Sequence, residues 1–263
     1  MRLLVSVASA SEASAALLGG ADFVDAKDPL RGSLGPVSID VLRKIHVACA
    51  GARPVTAALG DATDEAEIER SARDFSTAGA TLVKMGFAGI TSAERVGSLI
   101  AAAVRGASAA GAVGLPPPSV ALQRVAPKRS EGGEPDTTYG VIAVAYADAE
   151  RVGSISLFNL LEVAARGGAK GVLIDTADKH GPGLRELVAP DVLGTWIANA
   201  HEHGLLVAVA GKLTADDLPI VRDMDADVAG VRGAACDEGR TGRVVTDKVR
   251  VLRARCDAKH ALT

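Results

Sequence analysis

The sequence predicts an α/β fold, a (β/α)8 barrel of the TIM type built as a single domain over 1–263. Three observations predict it. Eight short apolar runs alternate with longer amphipathic stretches, the pattern of strands each followed by a helix. The alternation fills roughly 250 residues, the usual length of such a barrel. Every second run also carries a related motif that ends in a polar residue. A doubly wound open sheet is the competing architecture, and fewer strands would suit it better.

The runs read as strands in order. "LLVSV" (3–7) opens the chain; it is too short for a signal-peptide core, and Glu12 follows it soon after. "DFVDAK" (22–27) follows the small-residue turn at Gly19 and Gly20. "SIDVLRKIHVACAG" (38–51) has helical spacing and leads to "PVTAAL" (54–59) and then "TLVKMG" (81–86). "TSAERVGSLIAAAVRGASAAG" (91–111) is a second helical pattern, and "GVIAVAYAD" (140–148) is the fifth strand. "SLFNLLEVAARGG" (156–168) then leads to "GVLIDTAD" (171–178), followed by "LLVAVAG" (205–211) and "DVAGVRG" (227–233). The segment 114–140, rich in Pro, Gly and charge, interrupts the order before strand 5. A helix-to-strand connection lies at the bottom of such a barrel, so it reads as an insertion or a contact between copies, and a homo-oligomer is expected.

Composition narrows the function classes. Aromatic residues make up 3% of a chain that is 48% hydrophobic, so the core must be aliphatic. A net charge of −3 gives no general pull toward nucleic acid or membrane. No window approaches the roughly 20 apolar residues of a membrane span. Cys49, Cys236 and Cys256 are widely spaced and form no metal-type cluster, which suits a reducing cytoplasm. No set with metal-ligand spacing and no dinucleotide fingerprint is present.

The even-numbered strands carry the chemistry. "GGADFVDAK", "AGATLVKMG", "RGGAKGVLIDT" and "DMDADVAGVRG" share a small-residue turn, a short strand and a polar residue near its end. Counted from Ala21, Ala80, Ala169 and Ala226, the sixth residue along is Lys27, Gly86, Asp175 and Arg232. The fourth along is Asp25, Lys84, Leu173 and Gly230. The two offsets share parity, so these side chains should point the same way, into the barrel. Asp25, Lys27, Lys84 and Asp175 are therefore expected to converge at the C-terminal face, where such barrels keep their active sites.

Lysine is the scarcer base, with nine against twenty arginines. Four of the nine, Lys27, Lys84, Lys179 and Lys212, fall at or just past predicted strand ends, a bias toward the functional face. Burial and neighbouring cations depress a lysine pKa and yield a neutral nucleophile that forms an imine with a carbonyl. Lys84 could favour the neutral form of Lys27 or move protons itself, and Asp25 and Asp175 could shuttle protons or hold the ammonium groups. A purely structural lysine–aspartate pair is the competing account. The loops after strands 7 and 8, with Gly211, Lys212, Arg232, Gly233 and Ala234, have the place and composition of a phosphate site, and Thr214 could cap the following helix. His180 also falls near this face.

These residues match a known family. The chain resembles (5-formylfuran-3-yl)methyl phosphate synthases through "LLVS", "GGADFVDAKDPLRGSLG", "LGD" (59–61), "VKMG" (83–86), "AYADAERVG" (145–153), "LIDTADKHG" (173–181), "AVAGKL" (208–213) and "GVRGAAC" (230–236), in order along nearly the whole chain. The resemblance implies a lyase of methanofuran-type cofactor biosynthesis that condenses two molecules of glyceraldehyde 3-phosphate, with loss of phosphate and water. It implies Lys27 as the Schiff-base lysine, Lys84 as a proton acceptor, and neither a metal nor an organic cofactor. Asp25, Asp175 and Lys179 match the family's other polar active-site positions. A class I aldolase acting on sugar phosphates and a non-catalytic sugar-phosphate-binding barrel are the alternatives that the residues alone leave open.

Overall fold

A computed structural model describes residues 1–111 and 139–257. Eight parallel strands, β1 (Arg2–Val7), β2 (Phe23–Ala26), β3 (Val55–Asp61), β4 (Leu82–Gly86), β5 (Gly140–Tyr146), β6 (Gly171–Asp175), β7 (Leu206–Val209) and β8 (Val228–Val231), close into a barrel in chain order. This is the predicted (β/α)8 architecture, with each strand inside the run read from the sequence or within two residues of it. The expected insertion lies outside the described residues as far as residue 138; Tyr139 and Gly140 are described and lead into β5.

Helices α1 (Ala10–Leu18), α2 (Ile39–Cys49), α3 (Glu65–Thr77) and α4 (Ala93–Gly111) follow the first four strands. Short α5 (Ala149–Val152) and longer α6 (Leu157–Arg166) follow β5; α7 (Leu184–Leu187) and α8 (Pro190–Glu202) follow β6; α9 (Asp217–Asp223) follows β7, and α10 (Thr246–Asp257) follows β8. Local chemistry sets the helix starts. The hydroxyls of Ser9 and Ser38 accept from the N–H groups of Glu12 and Val41, and the Asp64 carboxylate accepts from that of Glu67, satisfying donors that a first turn leaves open.

Strand alternation divides the core in two. Outward residues such as Val5, Val24, Val83, Val172 and Val207 pack against helix residues Leu42, Ile45, Leu99, Leu160 and Trp196. Inward residues Leu4, Phe23, Leu82, Ile142, Leu173 and Leu206 fill the lower interior of the barrel. Two residues further along the same strands the inward positions turn polar: Ser6 on β1, Asp25 on β2, Lys84 on β4 and Asp175 on β6. Lys27, one residue past β2, keeps the alternation because its N–H still bonds to the Val7 carbonyl at 2.9 Å.

Candidate active site

A cavity of about 320 Å³ opens at the C-terminal ends of the strands. Its floor is the apolar interior layer, and Lys27, Thr56, Lys84, Asp175 and Lys179 form its wall. The predicted convergence is therefore observed: Asp25, Lys27, Lys84 and Asp175 are all buried. Lys179 joins them from the loop after β6.

The charges are arranged as two pairs and one unpaired amine. Lys84 Nζ lies 2.6 Å from Asp25 Oδ1. Strand register brings Ser6 and Thr56 level with Asp25 on its two neighbours, and their hydroxyls donate to its two oxygens at 2.8 and 2.7 Å. On the other side, Lys179 Nζ lies 2.6 Å from Asp175 Oδ1, which also accepts from the Thr176 N–H at 2.8 Å. Lys27 stands between the pairs. Among the described residues its ammonium has no hydrogen bond and no carboxylate within ion-pair distance.

The electrostatics follow from this arrangement. Burial opposes ionisation of Asp25, but Lys84 and Lys27, with the Lys84 and Thr56 hydrogen bonds, outweigh it and hold the carboxyl below its ordinary range. Asp175 behaves likewise: burial is outweighed by Lys179, Lys27 and the Thr176 N–H. Burial pushes the Lys27 ammonium down to about 8; Asp175 opposes the shift, and the cations Lys84 and Lys179 add to it. An amine with that pKa, above an apolar floor and between two lysine–aspartate pairs, can attack a carbonyl at neutral pH.

The loops after β7 and β8 line the rim of the cavity. Gly211 has φ +105° and Lys212 +62°, a turn that starts at a position suited to glycine. The N–H groups of Gly211, Lys212, Gly233 and Ala234 donate to no acceptor among the described residues, so all four are available to a ligand. Lys212 Nζ instead donates to the Gly181 carbonyl at 2.6 Å. Arg232 borders the cavity, but its guanidinium is engaged within the protein. Its Nη1 donates to Ser6 O and Glu12 Oε2, its Nη2 to Glu12 Oε1 and Gly242 O, and its Nε to Arg240 O. Those bonds use all five guanidinium donors. Arg232 is thus a brace that holds the loop after β8 against α1. Thr214 does not cap a helix: its N–H and hydroxyl both donate to Asp217 in the first turn of α9. His180 is exposed and does not line the cavity.

Four functional features lay beyond the sequence reading. Thr56 and Ser6 are visible only once the strand register is known. Arg240, from the irregular loop after β8, lines the cavity with no strand periodicity to announce it. The Tyr146 hydroxyl donates to Asp61 at 2.7 Å beside Gly86, where a β-carbon would fall 2.2 Å from that hydroxyl. Burial, with Asp61 adding to it, pushes the Tyr146 phenol up, so it remains a proton donor. Asp148 accepts from the N–H groups of Ala177 and Asp178 at 2.7 and 2.9 Å, fixing the loop that carries Lys179.

Comparison with known proteins agrees with this geometry. Solved barrels are similar in fold: orotidine 5'-phosphate decarboxylase from Pyrococcus horikoshii matches with TM-score 0.62 at 13% identity over 98% of this chain and 100% of that one. A 3-hexulose-6-phosphate synthase matches with TM-score 0.58 at 21% identity, covering 97% and 99% of the two chains. Sequence relatives are nearer. The (5-formylfuran-3-yl)methyl phosphate synthase of Methanopyrus kandleri is 35% identical over 92% of each chain. That of Methanosarcina barkeri is 32% identical over 98% of this chain and 100% of its own. A model of the 4-HFC-P synthase family matches residues 3–253. The chain belongs to the 4-HFC-P synthase family.

Proposed function

We propose that this enzyme condenses two molecules of glyceraldehyde 3-phosphate to (5-formylfuran-3-yl)methyl phosphate through an imine on Lys27, as a lyase of methanofuran-type cofactor biosynthesis. The observation that carries the reading is the unpaired Lys27 amine, lowered to about 8 between two lysine–aspartate pairs. One triose phosphate, isomerised to its ketone, condenses with the neutral amine and expels water. The cationic imine acidifies the adjacent carbon, and loss of that proton gives an enamine. The enamine carbon attacks the aldehyde of the second triose. Elimination of phosphate, ring closure and dehydration lead to the aromatic ring, and hydrolysis frees Lys27.

Lys84 and Asp25 form one proton-exchanging pair and Lys179 and Asp175 the other, each in reach of a substrate held on Lys27. The N–H groups of Gly211, Lys212, Gly233 and Ala234 hold one phosphate. Arg232 supports that loop without touching the anion. The test is product analysis with glyceraldehyde 3-phosphate as sole substrate. A furan aldehyde absorbing in the near ultraviolet, formed with released phosphate, supports the reading. Reversible aldol cleavage without phosphate release would instead make the protein a Schiff-base aldolase.

A further inference from the structure

Two phosphorylated trioses bring two anionic groups into one cavity, and the loops after β7 and β8 provide N–H groups for one. The other needs a cation that faces the cavity and is not already neutralised. Lys84 and Lys179 do not qualify, because each is held 2.6 Å from a buried carboxylate. Arg232 does not qualify, because Glu12 and three carbonyls occupy its donors. Lys27 is the amine read as the nucleophile, and Lys212, which lines the cavity and donates to the neutral Gly181 carbonyl, belongs to the β7 loop that already serves the first anion. Arg240 remains.

Arg240 lines the cavity and is half-buried. Among the described residues its guanidinium has no carboxylate within ion-pair distance. The partners it has are neutral. Nη1 donates to the Pro29 carbonyl and Nη2 to the Gly32 carbonyl at 2.5 Å, which leaves further donors, Nε among them, for a ligand. Asp175 and Asp28 act on the guanidinium only from a distance; a cation taken partly out of water with no carboxylate in contact is costly, and an anion beside it offsets that cost. The placement is also built. Arg232 holds the Arg240 carbonyl at 2.8 Å and the Gly242 carbonyl at 3.1 Å, so the brace under the loop fixes where Arg240 leaves it. Pro29 and Gly32 follow Lys27 closely in the chain, so the side chain, which leaves a backbone lying beside Gly233, brings its guanidinium to the loop after β2.

We infer that Arg240 is the ligand of the second phosphate, seating it on the Lys27 side of the mouth while the loop N–H groups hold the first. The inference rests on the reading that two phosphorylated trioses share the cavity. Its bidentate fork suits a phosphate better than an ammonium would.

The test is equilibrium dialysis of the full-length protein with radiolabelled inorganic phosphate. It is independent of the imine, which is read separately by trapping. Wild type should bind two phosphates per chain. Arg240→Gln should lose one of them, with its Kd raised about tenfold or more, and keep the other unchanged as an internal control for folding. Arg240→Lys should recover part of the lost affinity. In turnover, Arg240→Gln should raise KM for glyceraldehyde 3-phosphate more than it lowers kcat. Two sites retained in Arg240→Gln, both sites lost, or fewer than two in wild type would each overturn the inference.

Discussion

The lower and upper interior layers of the barrel are built by the same strands with opposite chemistry. On β2 the inward side chains run from Phe23 to Asp25 and Lys27; on β4 from Leu82 to Lys84; on β6 from Leu173 to Asp175. Two residues of strand, about 7 Å, separate a dry aliphatic layer from a layer of buried charge. The difference teaches how one lysine becomes reactive. The floor keeps water from beneath Lys27, and the neighbouring pairs consume both buried carboxylates. Desolvation then acts on the one amine left without a partner. Lys84 and Lys179 lie in the same polar layer, but each has a carboxylate at 2.6 Å.

The contrast is broken most directly at Lys27 itself. Lys27→Met extends the apolar layer upward and should lower kcat/KM at least about 10³-fold. It should also stabilise the fold at pH 7 by roughly 1–3 kcal/mol in urea denaturation. Linkage gives the sign. The folded pKa of about 8 lies below the ordinary 10.5, so between those values the unfolded chain binds more protons. The lysine's penalty is therefore full below about 8 and fades as pH rises toward 10.5. Wild-type stability should gain a rising contribution across that window that Lys27→Met lacks. A destabilised Lys27→Met would show that the amine is held by a partner after all.

A smaller break comes from the pairs. Asp25→Asn leaves Lys84, 4% exposed, without its countercharge and should cost about 3–5 kcal/mol of stability. Adding Lys84→Met should return much of that stability while activity stays lost. If Asp25→Asn alone shifts stability no more than a surface change of about 0.5 kcal/mol, the pair is not holding the polar layer together.

The sequence already exposed this layering, because the period-2 alternation of even strands put Asp25, Lys27, Lys84 and Asp175 on one face. It also located the even-numbered strands, since each of them begins after a small-residue turn and ends near a polar residue. Partnership was not legible. Arg232 continues the inward parity of β8 and so resembled a phosphate ligand; its captor Glu12 comes from α1, far away in the chain. Arg240 sits in an irregular loop where no periodicity assigns direction. The Asp28 carboxylate accepts from the Leu30 N–H at 2.9 Å, turning the chain that leaves Lys27.

The smallest effect probes the floor. In wild type, kcat/KM should rise with pH through about 8 and then level, as the neutral Lys27 amine becomes the dominant form. Phe23→Ser places a hydroxyl in the apolar layer and should move that midpoint upward by about half a unit to one unit. An unmoved midpoint would assign the shift to the cations Lys84 and Lys179 rather than to the dry floor.

The central claim, that Lys27 forms the imine, is tested most directly by borohydride reduction in the presence of glyceraldehyde 3-phosphate, followed by peptide mass mapping. The account predicts one reduced adduct per chain, on the peptide carrying Lys27, and none in Lys27→Met. An adduct on Lys84, Lys179 or Lys212, or no adduct while turnover proceeds, would contradict it.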